Sequence, residues 1–136
     1  MTKLIGYKSP WFKIDPSAIV SENITAKKGR TTIVGLGCLI YGEVEIGEGV
    51  LIGPNVTIVS TVHPIKPGID IKDQKIIHKK ITIEDHVFIG VGAIILGGNT
   101  IKSGAVIGAG SVLTEDHIVG ENEVWCGNPC KFLKKR

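Results

Sequence analysis

The sequence predicts an all-β protein, a parallel β-helix of six-residue repeats from which one loop is extruded. Three observations lead to this fold class. An aliphatic residue recurs at every sixth position over two long stretches, and one segment between them breaks the period. The chain has 18 glycines, whereas aromatic residues make up only 5% of it. A fixed short period is the signature of a solenoid, and neither a helical nor a heptad pattern produces it.

The six-residue period runs through two arrays. Their inward positions are Val34, Ile40, Ile46, Ile52 and Ile58, then Ile83, Ile89, Ile95, Ile101, Ile107 and Leu113. A second set of mostly small or branched residues follows four positions later: Cys38, Val44, Val50, Val56 and Val62, then Val87, Ala93, Asn99, Ala105 and Ser111. Each hexad is therefore predicted to form one short strand and one turn, with three hexads in each triangular coil. The glycines that follow an inward residue are expected to turn the backbone at positive φ; they are Gly47, Gly53, Gly90 and Gly108.

The 136 residues fit one domain, 1–136, with three irregular parts. Residues 64–80 break the period, since Ile58 and Ile83 are 25 positions apart, which is not a multiple of six. An excursion of this length from a tight solenoid usually carries function. Residues 1–30 are less regular and are expected to cap the first coil. Residues 120–136 form the C-terminal segment.

Composition and charge exclude several classes of protein. The net charge of +3 is too small to indicate nucleic-acid binding. No apolar stretch approaches the roughly 18 residues that span a bilayer, and the N-terminus lacks the apolar run of a secretory signal. We therefore expect a cytoplasmic protein. Its cysteines, Cys38, Cys126 and Cys130, are expected to be reduced, because a single C-x3-C pair is a weak zinc motif.

Four blocks of the sequence resemble a known family. They are LIGPNVTIVSTVHP (51–64), ITIEDHVFIGVGAIILGG (81–98), TIKSGAVIGAGSVLTED (100–116) and GNPCKFLKK (127–135). Together with the upstream hexads they are similar to the hexapeptide-repeat acyltransferases, in the branch of the maltose, galactoside and antibiotic acetyltransferases and the polysaccharide O-acetyltransferases. The resemblance implies a left-handed β-helix and a homotrimer with active sites between subunits. It also implies direct transfer from acetyl-CoA to a sugar hydroxyl, without a metal.

By this resemblance the catalytic base is His63, which matches the histidine of the family's His-Pro motif. An imidazole with the ordinary pKa of about 6.5 is largely neutral at pH 7 and can accept a proton. The residues alone leave an alternative, in which His63 anchors the loop through a backbone hydrogen bond. Asp70 and Glu84 are both conceivable partners that orient the ring. His78 is either a contact for the acceptor or phosphate, or part of a solvated loop.

The resemblance also indicates the cofactor-binding positions, which are Phe88, Val91, Ala109, Thr114, Trp125 and Lys131. The backbone N–H of Val91 is expected to stabilise the oxyanion, Phe88 to pack along pantetheine, and Lys131 to lie near the adenosine phosphates. Simpler roles stay open: core packing for Phe88 and Trp125, turn formation for Ala109 and Thr114, and a solvated tail for the C-terminal lysines.

Two departures from the family weaken the prediction of the acceptor. The stretch 35–38 lacks the asparagine that contacts the sugar in galactoside-type enzymes, and Glu115 replaces the basic residue that commonly follows Thr114. An N-acetyltransferase of an amino sugar or nucleotide sugar is therefore an alternative. A zinc carbonic anhydrase on the same fold is less favoured, because no two histidines pair on one coil. A non-catalytic β-helix is also less favoured, because the chain lacks the outward threonine arrays of ice-binding proteins.

Overall fold

The computed structural model describes residues 10–21 and 23–136, so the part of the expected N-terminal cap at 1–9 and residue 22 lies outside the described residues. The strands are β1 Phe12–Ile14, β2 Ile19–Val20, β3 Ile24–Ala26, β4 Thr32–Val34, β5 Leu39–Tyr41, β6 Val44–Ile46, β7 Leu51–Ile52, β8 Thr57–Val59, β9 Thr61–Val62, β10 Ile77–His78, β11 Ile81–Ile83, β12 Phe88–Ile89, β13 Ile94–Ile95, β14 Thr100–Ile101, β15 Val106–Ile107, β16 Val112–Leu113, β17 Ile118–Val119, β18 Glu123–Cys126 and β19 Lys131–Lys135. One 3-10 turn covers Ile71–Asp73. Across the described ranges, no helix has the length and apolar character of a membrane span.

The strands stack into three parallel sheets that form the faces of a triangular prism. The first face is β1-β4-β7-β12-β15-β18, extended by the antiparallel strand β19, the second is β2-β5-β8-β13-β16, and the third is β3-β6-β11-β14-β17. Successive coils stack in register, with Ile89 beside Ile107 on the first face. The chain turns from one face to the next at three corners. The first corner joins the first face to the second, the second corner joins the second face to the third, and the third corner joins the third face back to the first. The predicted parallel β-helix is confirmed.

The core is the ladder of inward residues that the period predicts. Every inward aliphatic position of both arrays is buried, because the register places like positions directly above one another. Val62 is the exception in the second set. It is half-buried in β9, where it pairs with Ile77 in an antiparallel ribbon. The six-residue period assigns Val62 to the second set of the first array, and that assignment is wrong, because the chain leaves the coil after the buried Ser60.

The glycines that follow inward residues serve a different purpose from the one predicted. A Cβ added to Gly90 would lie 2.6 Å from the backbone nitrogen of Ala109 in the next coil. The positive φ occurs two residues later, at Gly92 (69°), and the N–H of Ala93 donates to the carbonyl of Gly90 at 3.2 Å. This is the pattern of a type II turn. The expectation of positive φ was wrong for Gly47, Gly53, Gly90 and Gly108, where close approach between coils is what requires glycine.

The extruded loop leaves and re-enters the prism at the second corner. Its stem is the antiparallel pair β9–β10. Inside it, the amide of Gln74 donates to the carbonyls of Lys66 (3.0 Å) and Ile69 (3.1 Å) and accepts from the N–H of Lys66 (2.9 Å). Gln74 therefore gives the loop a fixed shape. The loop exposes five isoleucines: Ile65, Ile69, Ile71, Ile76 and Ile77.

Truncating one rung of the ladder should measure the contribution of the core. Ile95 is fully buried between Ile58 and Leu113, so Ile95→Ala is expected to lower the free energy of unfolding by about 2–5 kcal/mol. Ile118 is 67% exposed, so Ile118→Ala is expected to cost no more than about 0.5 kcal/mol. Denaturant unfolding followed by circular dichroism measures both changes. Equal losses in the two variants would contradict the assignment of the ladder as the source of stability.

Candidate active site

His63 lies at the end of the loop stem, one residue beyond β9, with its side chain exposed. Its Nδ1 is 3.0 Å from the carbonyl oxygen of Pro64. Because a carbonyl only accepts, this bond requires the proton on Nδ1, and the neutral ring then carries its lone pair on Nε2. The bond spans a single peptide unit, so it orients the ring and connects no distant segments. The geometry presents Nε2 to solvent as a proton acceptor.

The two carboxylates considered as partners of His63 are engaged elsewhere. Asp70 caps the 3-10 turn by accepting from the N–H of Lys72 at 3.2 Å. Glu84 accepts from both the N–H and the hydroxyl of Ser103, at 2.9 and 3.1 Å. The backbone carbonyl of Pro64 takes the orienting role instead. Sequence reasoning missed it because backbone acceptors leave no mark on residue type.

The second corner is held together by Lys79, the residue that brings the loop back to the coil. Its N–H donates to Ser60 at 2.8 Å and its carbonyl accepts from Gly98 at 3.0 Å. Its ammonium group lies 3.2 Å from Glu115 and 2.5 Å from Asp116. Hydrogen bonds to Asp116 and then Glu115 raise the pKa of Lys79, so it stays charged. The ion pair with Lys79 therefore gives a structural reason for an acidic residue at position 115, where the family resemblance predicts a basic one.

Thr114 also lies at the second corner, in the turn after β16, and it is half-buried. Its carbonyl accepts from the buried amide of Asn99 at 2.8 Å and from Nδ1 of His117 at 3.0 Å. The same Asn99 accepts from the N–H of His117 at 2.9 Å. The backbone of this turn is thus fixed, while the hydroxyl of Thr114 forms no hydrogen bond within the described chain.

The first corner carries Val91 and Ala109 in consecutive coils, each at the second position of a type II turn. The carbonyl of Val91 accepts from Gly110 at 2.8 Å. In the part of the chain that is described, neither the N–H of Val91 nor that of Ala109 has an acceptor. Pro54 occupies the same position one coil earlier, where its carbonyl accepts from Gly92 at 2.9 Å, and proline has no N–H to donate. The described chain therefore leaves two backbone amide donors at this corner without an acceptor, and such groups can bind an oxyanion.

Phe88 lies on the outside of the first face, where its side chain is 42% exposed. Its neighbour Ile89 points into the core, so the alternative of an aromatic core rung for Phe88 is excluded. In adjacent coils its neighbours are Leu51 and Val106. Together with these two neighbours, the ring of Phe88 offers an apolar surface to a ligand or a second subunit.

Trp125 packs partly against the end of the core and makes an edge-on contact with His117, with ring centroids 5.9 Å apart. Its indole N–H donates to Glu123 at 2.8 Å. That bond is the largest of the effects that lower the pKa of the Glu123 carboxyl. This placement is the coil-end packing role that the sequence left open for Trp125.

Lys131 begins β19, the last strand of the chain, and pairs with Cys126. The C-terminal lysines therefore belong to an ordered strand whose side chains are exposed to solvent. The guanidinium of Arg136 donates to the carbonyl of Gly104 at 3.0 Å and so fastens the end of this strand. The side chain of Lys131 stays exposed, with no ion pair to the described residues.

These positions fall into two groups within one protomer. His63 and Thr114 lie at the second corner, while Val91 and Ala109 lie at the first corner. The group of Val91 and Ala109 is extended along the first face by Phe88, Trp125 and Lys131. The two corners are separated by the width of the second face, so one protomer does not bring the candidate base and the candidate oxyanion donor to the same edge.

Comparison with known proteins identifies the family. A model described as the hexapeptide repeat of succinyl-transferase matches residues 80–115. A galactoside O-acetyltransferase of Lactococcus lactis is 39% identical over 68% of this chain and 44% of its own length. A Dictyostelium discoideum protein named as an acetyltransferase is 32% identical over 98% of this chain and 70% of its own length. The chain therefore belongs to the hexapeptide-repeat acetyltransferase family.

Solved structures agree with this assignment. The maltose O-acetyltransferase from Clostridium difficile 630 has a TM-score of 0.67 and 35% identity over 91% of this chain and 63% of that chain. A galactoside acetyltransferase in complex with coenzyme A has a TM-score of 0.67 and 32% identity over 91% and 64%. The chain spans about half the length of several curated relatives, including 44% of the Lactococcus protein.

Similarity also extends to a second class of protein on this fold. A mitochondrial gamma carbonic anhydrase 2 of Arabidopsis thaliana is 31% identical over 90% of this chain and 47% of its own length. Within one protomer, residues 10–21 and 23–136 contain no group of three or more His, Cys, Asp or Glu side chains placed to hold a metal ion. His63, His78 and His117 lie at the second corner and His86 at the third, and in the described residues these side chains do not form such a group.

Proposed function

We propose that the protein is an acetyl-CoA-dependent acetyltransferase that transfers the acetyl group directly to its acceptor, with His63 as general base. The observation that carries this proposal is the hydrogen bond from Nδ1 of His63 to the carbonyl of Pro64, 3.0 Å long. It leaves Nε2 free to accept a proton at the root of the one loop that interrupts the coils. Family membership supplies the reaction class.

In the proposed reaction, the acceptor hydroxyl gives its proton to Nε2 of His63 as its oxygen attacks the carbonyl carbon of the thioester. The oxyanion that forms accepts a hydrogen bond from the N–H of Val91. The carbon–sulfur bond then breaks, the acetyl ester is released, and the thiolate of coenzyme A takes the proton from the imidazolium. Protons balance, and His63 returns to its neutral form.

The cofactor is proposed to lie along the first corner and first face. Ala109 follows Val91 by one coil, and its free N–H suits the amide groups of pantetheine. Phe88 offers an apolar surface beside it, and Lys131 a cation for the phosphates at the far end. Thr114 sits at the second corner with a free hydroxyl. Trp125 contributes mainly through the packing of the last coil, with only its half-buried edge open to adenine.

We propose a left-handed helix and a homotrimer in which each site uses two protomers. The base and the oxyanion donor lie at different corners, and a neighbouring subunit would bring them together. The outward residues of the first face support burial against another copy, since they form an apolar stripe that is exposed at its first three positions and half-buried at its last two. These are Ile33, Leu51, Phe88, Val106 and Val124. Sedimentation equilibrium is expected to give three times 14.5 kDa, about 43.5 kDa.

The proposed acceptor is a sugar or saccharide hydroxyl, as the galactoside and maltose O-acetyltransferases among the relatives suggest. An amino-sugar or nucleotide-sugar amine is the alternative within the same chemistry. A coenzyme A release assay with free saccharides, amino sugars, nucleotide sugars and serine tests the proposal. Release that depends on a saccharide supports it, and the absence of release with all four classes would overturn it.

Replacing Lys131 should distinguish an effect on cofactor binding from an effect on acceptor binding. Lys131→Ala is expected to raise KM for acetyl-CoA by about 3- to 10-fold, because a charged hydrogen bond to phosphate is lost, and to leave KM for the acceptor unchanged. Lys13, an exposed lysine on β1 at the opposite end of the first face, provides the control variant Lys13→Ala. Steady-state kinetics with each substrate varied in turn measure the two KM values. Equal changes in both would contradict the role of Lys131 in binding the cofactor.

A carbonic anhydrase is the second candidate, favoured by the similarity to the Arabidopsis protein. Its zinc would have to be held by histidines of two subunits, since one protomer places no three donors together. Metal analysis of the purified protein together with a CO2 hydration assay distinguishes the two proposals. Stoichiometric zinc with hydration activity would replace the acetyltransferase assignment.

We place the protein in the cytoplasm. Its three cysteines are free, and burial raises the pKa of the Cys38 and Cys130 thiols. Buried thiols of this kind are structural and unreactive. Free cysteines and a need for acetyl-CoA both fit a reducing compartment.

A further inference from the structure

The loop stem places a second imidazole beside the candidate base. In the ribbon of β9 and β10, Val62 pairs with Ile77 and Thr61 pairs with His78. Side chains alternate from one side of a strand to the other, so Thr61 and His78 lie on one side of the ribbon. Continuing that alternation one residue past the end of β9 places His63 on the same side. His63 and His78 are then diagonal neighbours, a relation in which Cα atoms are about 7–8 Å apart and long side chains can meet at one ligand.

The backbone of His78 is fixed. The residue after it, Lys79, forms two backbone hydrogen bonds to the coil, to Ser60 at 2.8 Å and from Gly98 at 3.0 Å. The ammonium of Lys79 is held by Glu115 and Asp116. His78 is therefore on the anchored strand of the stem, with its side chain exposed to solvent.

The ring of His78 is available to a ligand. Its side chain is exposed, and among the described residues its ring nitrogens have no hydrogen-bond or ion-pair partner. His117, by contrast, donates from Nδ1 to the carbonyl of Thr114. The ring contact that the described chain forms is between His117 and Trp125, so the imidazoles of His63 and His78 do not stack on each other.

We propose that His78 is a specificity-determining residue that binds a hydroxyl next to the one that is acetylated. This inference rests on the proposed function and deepens it. A neutral imidazole offers one donor and one acceptor, which suits a hydroxyl group. An acceptor whose reactive hydroxyl lies at Nε2 of His63 presents its vicinal hydroxyl toward His78. The substrate class is therefore a vicinal diol, such as two neighbouring hydroxyls of a sugar ring.

The test compares His78→Phe, which removes both nitrogens and keeps an aromatic ring, with His78→Asn, which keeps a donor and an acceptor. Each is assayed with an active saccharide and with its analogue that lacks the vicinal hydroxyl. With the saccharide, His78→Phe is expected to raise KM of the acceptor about tenfold, because a site hydrogen bond is lost. KM for acetyl-CoA should change by less than about twofold, and His78→Asn should restore part of the affinity.

With the deoxy analogue, His78→Phe and the wild-type protein should have the same KM, because the interaction that His78 makes is already missing. An equal loss with both acceptors, or no loss with either, would overturn the inference. Acetyl-CoA hydrolysis in the absence of acceptor is measured as a control that distinguishes failure of the proposed function from failure of the role of His78. If His63→Ala leaves that hydrolysis and all acceptor-dependent turnover unchanged, the proposed function fails. If His63→Ala abolishes turnover and His78→Phe behaves as wild type, only the role of His78 fails.

Discussion

His63→Ala is expected to lower the rate of acetyl transfer by about 10²- to 10⁴-fold, the usual contribution of a positioned general base. The substitution removes Nε2, the atom that the bond from Nδ1 to Pro64 leaves unprotonated. KM for acetyl-CoA should change little, because His63 is proposed to take the proton of the acceptor hydroxyl and not to bind the cofactor. Release of coenzyme A in the presence of an active acceptor measures the effect.

A second histidine provides the matched control. His86 is exposed at the third corner, at a positive φ of 58° that asparagine tolerates. His86→Asn should therefore retain the wild-type rate. Circular dichroism of both variants checks that the coils are intact. A near-normal rate in a folded His63→Ala variant would remove this residue from the role of base.

Most of the fold follows from the sequence, because one physical constraint repeats along it. A register of stacked coils places Ile52, Ile89 and Ile107 in one column, and only a six-residue period of aliphatic residues keeps that column apolar. The same reasoning failed for Val62. Its spacing fits the period, but the chain has already left the coil, and a period carries no information about the residue at which a loop begins.

The site was less predictable than the fold. The position of His63 follows from its place at the root of the loop, whereas its orienting partner is the carbonyl of Pro64, which any residue type would supply. The ion pair between Lys79 and Glu115 joins residues 36 positions apart in the sequence, and no local sequence pattern indicates that they pair. Glu115 itself was the available signal, since an acidic residue at a position where the family resemblance predicts a basic one is consistent with a cation from another segment.

Val91→Pro is expected to lower the rate of acetyl transfer by about 10²- to 10³-fold, the usual cost of removing one oxyanion donor. Proline removes the N–H of residue 91 and replaces the valine side chain with a ring. The turn should accept it, because proline is favoured at the second position of a type II turn and Pro54 already occupies this position one coil earlier. The loss should fall on kcat, measured by coenzyme A release at saturating substrates.

Val91→Ala provides the matched control, since it changes the same side chain and keeps the N–H. It should retain a rate within a few-fold of wild type, whereas a loss equal to that of Val91→Pro would assign the effect to the side chain. Thermal unfolding of both variants checks the turn. A folded Val91→Pro variant with the wild-type rate would exclude this amide as the oxyanion donor.

The two variants together test whether a site uses two subunits. His63→Ala and Val91→Pro protomers, unfolded together at equal amounts and refolded, form mixed trimers. If each site takes His63 from one protomer and Val91 from its neighbour, about one quarter of the interfaces combine the two intact residues. About that fraction of the wild-type rate should then return. If both residues act within one protomer, every site lacks one of them and the mixture stays as inactive as its components.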